Sequence, residues 1–182
     1  MTDHAEDAAR ALREIALIKE RAAGFQDYQA ESHQLVLWGF VHIAGYGLSA
    51  LLPDFLLLVW FVVITAGLLA GACLAQRSND IIPGIIWRYS LVIGSILLFV
   101  ILIHVLYHPL PATQAALAGP LFVGCLYLIR GAHFRPRYIF LGVTLILVCL
   151  IAHLLPQAWF WWWMSLAFGG SLVLFGLWLR RY

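Results

Sequence analysis

IIWRYSLVIGSILLFVILIHVLY, residues Ile85–Tyr107, is a continuous apolar run in which Arg88 is the only charged side chain. A helix of about 20 such residues crosses the hydrocarbon core of a bilayer. Helix is the required conformation, because lipid offers no hydrogen-bond partners to an open backbone. Five other runs share this character. The six predicted spans cover residues 35–52, 55–75, 85–107, 112–129, 138–155 and 159–179.

The composition of the whole chain supports the same fold class. The chain has 182 residues, of which 63% are hydrophobic and 11% are charged, and its mean hydropathy is +0.90. A soluble domain carries about 25% charged residues, and a domain of this size has too much exterior to bury so much apolar surface. These numbers exclude a soluble enzyme, a disordered tail, a disulfide scaffold and a nucleic-acid binder. The sequence predicts an all-α polytopic integral membrane protein.

The turns between the spans predict the orientation of the chain. Three turns are short and contain proline, at residues 52–54, 108–111 and 156–157, whereas the turns at 76–80 and 130–137 carry arginine. Basic residues cluster in cytoplasmic segments near span ends. With the N-terminus inside, every lysine and arginine falls on the cytoplasmic side. We therefore expect three helical hairpins in a bacterial inner membrane, with both termini cytoplasmic.

A polar segment, residues 1–33, precedes the predicted six-helix domain, residues 34–182. Residues 1–31 hold seven acidic and four basic side chains, whereas the rest of the chain holds two acidic and seven basic ones. Apolar residues recur in the segment at heptad a and d positions, which predicts an amphipathic cytoplasmic docking helix. The alternative is a surface-lying helix that only anchors the first span. The predicted contact residues are Leu12, Ile15, Ile18 and Phe25 on the helix and Arg130, Arg135 and Arg137 on the cytoplasmic rim.

Two spans begin in the same way, which indicates an internal repeat of helical hairpins. An Arg-Tyr pair begins at Arg88 and again at Arg137, and a histidine follows each arginine after sixteen residues, at His104 and His153. Both histidines are therefore expected at the outer ends of their helices. Hairpin repeats occur in transporters, but we identify no span interrupted by glycine and proline that would mark a substrate site.

Three histidines within the spans, His42, His104 and His153, are candidate cofactor-binding residues. Ionisable side chains are costly inside a membrane, so a functional role is considered for each of them. Imidazole can bind haem iron or a metal ion and can relay protons. The alternative is a neutral histidine that hydrogen-bonds a hydroxyl or carbonyl group of a neighbouring helix. We predict no metal site and no resident cofactor, and haem is the cofactor that these residues would suit.

Small residues mark the predicted helix contacts. Gly67 and Gly71 form a GxxxG motif in the second span, and Ser165 and Gly169 form a similar pair in the sixth. Lipid provides no hydrophobic drive between helices, so helices associate where small residues allow close backbone approach. These contacts are expected either within the chain or between subunits. The tryptophans of 159–163 predict an outer interfacial anchor or, alternatively, an aromatic pocket for a ligand or lipid.

These features favour a non-enzymatic interaction subunit of a membrane assembly, acting as a scaffold or as a regulatory component. The expected partners are membrane lipids, further copies of the chain, and a membrane or cytoplasmic protein bound through the N-terminal helix. No nucleic acid is expected. Two alternatives stay open: a channel or transporter for a small solute, and a redox protein that binds haem or quinone through its histidines. We find no catalytic motif and predict no enzymatic activity.

Overall fold

The computed structural model describes residues 31–79, 85–133 and 136–181. Within these ranges the chain is helical and contains no strand. The predicted docking helix lies outside the described residues, and so does one residue of the predicted rim. The contact residues concerned are Leu12, Ile15, Ile18, Phe25 and Arg135.

Six helices account for almost all of the described chain, and each is long and apolar enough to cross a membrane. A 3-10 turn, Pro53–Phe55, connects the first helix to the second. The prediction of an all-helical chain with six long apolar helices is therefore confirmed for the described residues. The helices are α1 (Glu31–Leu51), α2 (Leu56–Asn79), α3 (Ile85–Leu106), α4 (Ala112–His133), α5 (Arg137–Leu154) and α6 (Gln157–Leu179).

One end of the bundle brings together the start of α1, the end of α4 and the start of α5. There Glu31 forms an ion pair with Arg130 and accepts a hydrogen bond from the Tyr138 hydroxyl. The last turns of α6 lie at this end too, because Ser32 Oγ donates to the Gly176 carbonyl at 2.8 Å. We call it the arginine end. The opposite end, where prolines separate consecutive helices, is the proline end.

Helix α1 contains polar residues ahead of the predicted span, because these residues find partners on other helices. The helix is already formed at Glu31, whereas the predicted span begins at residue 35. Gln34 Nε2 donates to the Gly71 carbonyl of α2 at 2.8 Å, and Arg180 Nε donates to Ser32 Oγ at 3.1 Å. The predicted boundary between residues 33 and 34 consequently lies inside a continuous helix.

Glycines allow two helix pairs to approach very closely. A Cβ on Gly169 of α6 would lie 2.9 Å from the Gly39 carbonyl oxygen of α1. A Cβ on Gly142 of α5 would lie 2.8 Å from the Gly124 carbonyl oxygen of α4. Because the atoms in question belong to the backbone, only glycine fits at these positions. Close approach of this kind is how apolar helices associate in lipid.

Two helices have irregular hydrogen bonding in their middle, although each remains one continuous helix. Pro120, buried in α4, has no N–H to donate to the Ala116 carbonyl four residues earlier. The Tyr46 hydroxyl of α1 donates to that carbonyl instead, at 2.8 Å. Helix α6 changes to π-helix over Met164–Gly169. Hydropathy does not register either feature, because the side chains involved are almost all apolar.

Helix α3 lies at the periphery of the bundle. In the 18-residue apolar stretch of α3 no residue is buried, whereas 39% of the residues are buried in the equivalent stretches of α5 and of α6. A Cβ added at Gly94 would meet nothing within 4 Å. The core of the described structure is therefore formed by α1, α4, α5 and α6, and α3 covers only part of it.

Candidate functional site

His42 lies in the middle of the buried face of α1. At helical spacing the same face carries Leu35, Tyr46 and Ser49, which are 2%, 1% and 0% exposed. His42 itself remains partly exposed although it stands between them. Trp38, one turn earlier, is also partly exposed, so this part of the face is accessible where Leu35, Tyr46 and Ser49 are not.

The hydrogen bonding of His42 determines which of its nitrogens is available. Nδ1 lies 2.7 Å from the Trp38 carbonyl oxygen, one turn earlier in α1. A carbonyl oxygen only accepts hydrogen bonds, so Nδ1 carries the proton of the neutral ring and Nε2 carries the lone pair. Nε2 has no partner among the described residues. The ring therefore presents an unused hydrogen-bond acceptor.

Four aromatic rings surround the His42 imidazole. The ring centroid of Phe168 lies 5.1 Å away, and those of Tyr46, Trp60 and Trp38 lie 6.0, 6.1 and 6.2 Å away. We call these five residues the His42 cluster. It joins α1 to α2 through Trp60 and to α6 through Phe168, which belongs to the π-helical segment. Short π-helical segments are uncommon and occur frequently at functional sites.

The composition of the His42 cluster limits what it can do chemically. Its walls are aromatic, and the Tyr46 hydroxyl is already committed to the Ala116 carbonyl. No carboxylate belongs to the cluster, so His42 has no partner for acid–base catalysis within it. The described residues contain no group of three or more His, Cys, Asp or Glu side chains that could hold a metal ion. The arrangement suits binding of an apolar molecule that donates one hydrogen bond.

The other two predicted histidines have different surroundings. His104 and His153 are both exposed. His104 Nδ1 lies 2.7 Å from the Val100 carbonyl oxygen of its own helix. Among the described residues no hydrogen bond or ring contact joins His104 to His153, so the structure does not bring these two candidates together.

A polar site occupies the arginine end. Glu31 uses both carboxylate oxygens, one toward Arg130 and the other toward the Tyr138 hydroxyl. The Arg130 guanidinium carbon also lies 5.3 Å from the centre of the Tyr138 ring, in cation–π range. We call Glu31, Arg130 and Tyr138 the Glu31 node. It fixes the start of α1 to the end of α4 and to the start of α5.

Arg137, the other described residue of the predicted rim, packs on an aromatic ring. Its guanidinium carbon lies 5.7 Å from the centre of the Trp178 ring near the end of α6. Arg180 lies close by along α6 and bonds Ser32 of α1. The arginine end therefore carries several cations that are oriented by neighbouring side chains.

The predicted small-residue positions all make contacts within the chain. A Cβ on Gly67 would lie 2.8 Å from a methyl group of Val41, and one on Gly71 would collide with the Tyr89 hydroxyl. Ser165 Oγ donates to the Ile43 carbonyl of α1 at 2.9 Å. With the Gly169 contact described above, these positions lie at α1–α2, α2–α3 and α1–α6 crossings.

The tryptophans at the start of α6 line an open groove of about 450 Å³. The Trp163 indole donates to the Val148 carbonyl of α5 at 3.0 Å, which anchors one wall. Trp159 is 67% exposed and forms the outer wall. The remaining lining residues are apolar as well. They are Leu155, Trp162, Leu166 and Ala167.

Several residues of these two sites were not identified from the sequence. In the sequence Glu31 belongs to the acidic segment, and neither Trp60 nor Phe168 is marked as a site residue. For Tyr46 the sequence does contain a signal, which is Pro120. A proline inside an apolar run leaves a backbone carbonyl without its usual donor, so a donor from another helix is expected. The sequence does not reveal that this donor is Tyr46.

Comparisons with protein families, with curated proteins and with solved structures gave no match for this chain.

Proposed function

We propose that the chain is a multi-pass membrane protein that acts as a non-enzymatic interaction subunit. In this proposal the six helices cross the membrane as three hairpins, and both termini lie in the cytoplasm. The length and hydropathy of the helices support the membrane assignment. The charges support the orientation, because the described arginines lie at or near the arginine end and none lies at the proline end.

The orientation predicts which positions a membrane-impermeant thiol reagent reaches in intact cells. The test uses a variant in which the native free cysteines, Cys73, Cys125 and Cys149, are replaced by serine. An Asp54→Cys substitution at the proline end should be labelled in intact cells. An Arg181→Cys substitution should be labelled only after permeabilisation. Labelling of Arg181→Cys in intact cells would refute the orientation.

The Glu31 node is the observation that carries the proposed interaction role. Glu31 immediately follows the acidic residues 1–30, and the node attaches it to the basic end of α4 and α5. The acidic segment therefore joins the helices next to cations of opposite charge. In our proposal this segment binds the same basic surface on a second copy or on a partner membrane protein.

Removal of residues 2–30 should abolish assembly with a second copy or a partner, because this segment carries the proposed docking face. The measurement is native mass spectrometry of protein purified from the host membrane in mild detergent. Glu31→Gln should weaken assembly less than the deletion does, because Arg130 is 41% exposed and water screens the ion pair.

Asp54→Asn is the matched control for this experiment. It makes the same acid-to-amide change at the proline end, away from the Glu31 node, and should leave the assembly unchanged. If the truncated chain assembles with the same number of subunits and partners as the full chain, the N-terminal segment is not the docking element.

The His42 cluster favours an additional role in ligand binding.

A further inference from the structure

We infer that the His42 cluster is a binding site for a phenolic or quinol-type hydroxyl group, which donates its hydrogen bond to His42 Nε2. This inference is independent of the proposed interaction role. It rests on the location of an open acceptor, on the chemistry of the walls around it, and on the irregular helix opposite.

His42 is partly exposed, as is Trp38 one turn earlier, whereas Ser49 further along the same face is buried. Leu35 and Tyr46 lie on the same face, before and after His42, and are 2% and 1% exposed. Nε2 has no hydrogen-bond partner among the described residues and is not one of their fully buried unpartnered atoms, so an atom of an occupant can reach it. The bond from Nδ1 to the Trp38 carbonyl leaves Nε2 as the nitrogen that can face an occupant.

The His42 cluster offers more apolar surface than polar partners to an occupant. A buried water is held by about three hydrogen bonds and needs two to four polar partners. In the His42 cluster the Tyr46 hydroxyl is committed to the Ala116 carbonyl, and the polar atoms that remain beside Nε2 are the indole N–H groups of Trp38 and Trp60. An apolar body with a single donor satisfies Nε2 and also covers the walls.

An aromatic body fits the walls better than an aliphatic one. Aromatic rings interact favourably in tilted or edge-on arrangements at centroid separations of about 4.5–7 Å. The four rings around His42 already use this geometry with the imidazole, Trp60 edge-on and the others tilted. A further ring that carries a hydroxyl would extend the same stacking and place its O–H at Nε2.

The π-helical segment of α6 supplies the second, independent observation. Phe168, the wall closest to His42, belongs to Met164–Gly169, where α6 departs from α-helical hydrogen bonding. The departure is held in place by Ser165, whose hydroxyl bonds the Ile43 carbonyl next to His42. The irregularity is thus located at the cluster, as is typical of sites with a function.

The test compares a donor with its blocked analogue on the same protein. The full chain is placed in lipid nanodiscs, and binding of 2-decyl-1,4-benzoquinol is measured under anaerobic conditions, above the amount retained by empty nanodiscs. The quinol should bind saturably, with one molecule per chain. Its dimethyl ether lacks the O–H donor and should bind about 3- to 10-fold more weakly, the value of one net hydrogen bond.

Two variants assign this difference to His42. His42→Phe keeps an aromatic ring and removes the acceptor, so the quinol and its ether should bind equally. His104→Phe is the matched control, because His104 also bonds its own helix through Nδ1 but belongs to no aromatic cluster. It should keep the full difference. In protein with ¹⁵N-labelled histidine, the Nε2 resonance that is lost in His42→Phe should shift when the quinol binds.

The result also identifies the source of the ligand. Equal affinity for phenol and for the decyl quinol would indicate a water-soluble aromatic alcohol, whereas binding of the tailed quinol alone would indicate a membrane quinol. Three results would overturn the inference: no saturable binding above empty nanodiscs, equal binding of quinol and ether to the unmodified chain, or loss of the difference in His104→Phe.

Discussion

Gly169→Ala should lower the stability of the purified protein by about 1–3 kcal/mol, the usual cost of inserting a methyl group where there is no room. The added Cβ would lie 2.9 Å from the Gly39 carbonyl oxygen and 2.9 Å from the Ile43 backbone nitrogen. These are backbone atoms, so no change of side-chain rotamer relieves the collision, and α1 and α6 must move apart. The measurement is thermal unfolding in detergent, followed by circular dichroism.

The neighbouring glycine provides the control. A Cβ on Gly170 meets nothing within 4 Å. Gly170→Ala should therefore leave stability unchanged or raise it by up to about 1 kcal/mol, the helix-propensity difference between the two residues. Equal destabilisation by both substitutions would show that α1 and α6 do not approach each other as described.

Tyr46→Phe should destabilise the protein by about 1–3 kcal/mol, because it removes the donor that Tyr46 supplies to a partly buried carbonyl in an apolar environment. The Tyr46 hydroxyl bonds the Ala116 carbonyl, which Pro120 cannot reach because proline has no N–H. The ring of phenylalanine fills the same space, so lost packing contributes little. Thermal unfolding of the single variant gives the cost directly.

A double-mutant cycle separates this explanation from a general packing effect. In Pro120→Ala the new alanine N–H can donate to the Ala116 carbonyl within α4, so this carbonyl no longer depends on the Tyr46 hydroxyl to replace the missing bond. Tyr46→Phe should then cost much less than in the parent chain. If the cost is the same in both backgrounds, the Tyr46 hydroxyl does not compensate for the proline.

The positions of the helices could be predicted from the sequence because each depends on a local property. Hydropathy over about 20 residues identifies every helix, and the prolines mark the turns of the proline end. Errors occur where a polar residue finds a distant partner. Glu31 and Ser32 were placed outside the first span, since the sequence does not show that Arg130 and the Gly176 carbonyl lie beside them.

The internal repeat also shows that local sequence does not predict the contacts of a side chain. The tyrosine of each Arg-Tyr pair lies in the first turns of its helix, but Tyr138 is buried and bonds Glu31. The Tyr89 hydroxyl has no hydrogen-bond partner among the described residues and lies against Gly71. Identical local sequence therefore gives different contacts, because the packing partners come from other parts of the chain.

His42 illustrates what could be recognised and what could not. Its location within an apolar helix made it a candidate from the sequence, as it did His104 and His153. Only the fold distinguishes them, because the rings of Trp60 and Phe168 reach His42 from α2 and α6. The spacing of residues along one helix carries no information about which rings a second and a third helix supply.

The contact between α1 and α6 has a consequence for biosynthesis. More than a hundred residues separate Gly39 from Gly169, and ribosomes add about 5–20 residues per second. The polar groups of α1 that bond α6, such as Ser32, therefore wait on the order of ten seconds for their partners. In the proposed membrane topology, the nascent chain would depend during that interval on the insertion machinery or on temporary neighbours to shield α1.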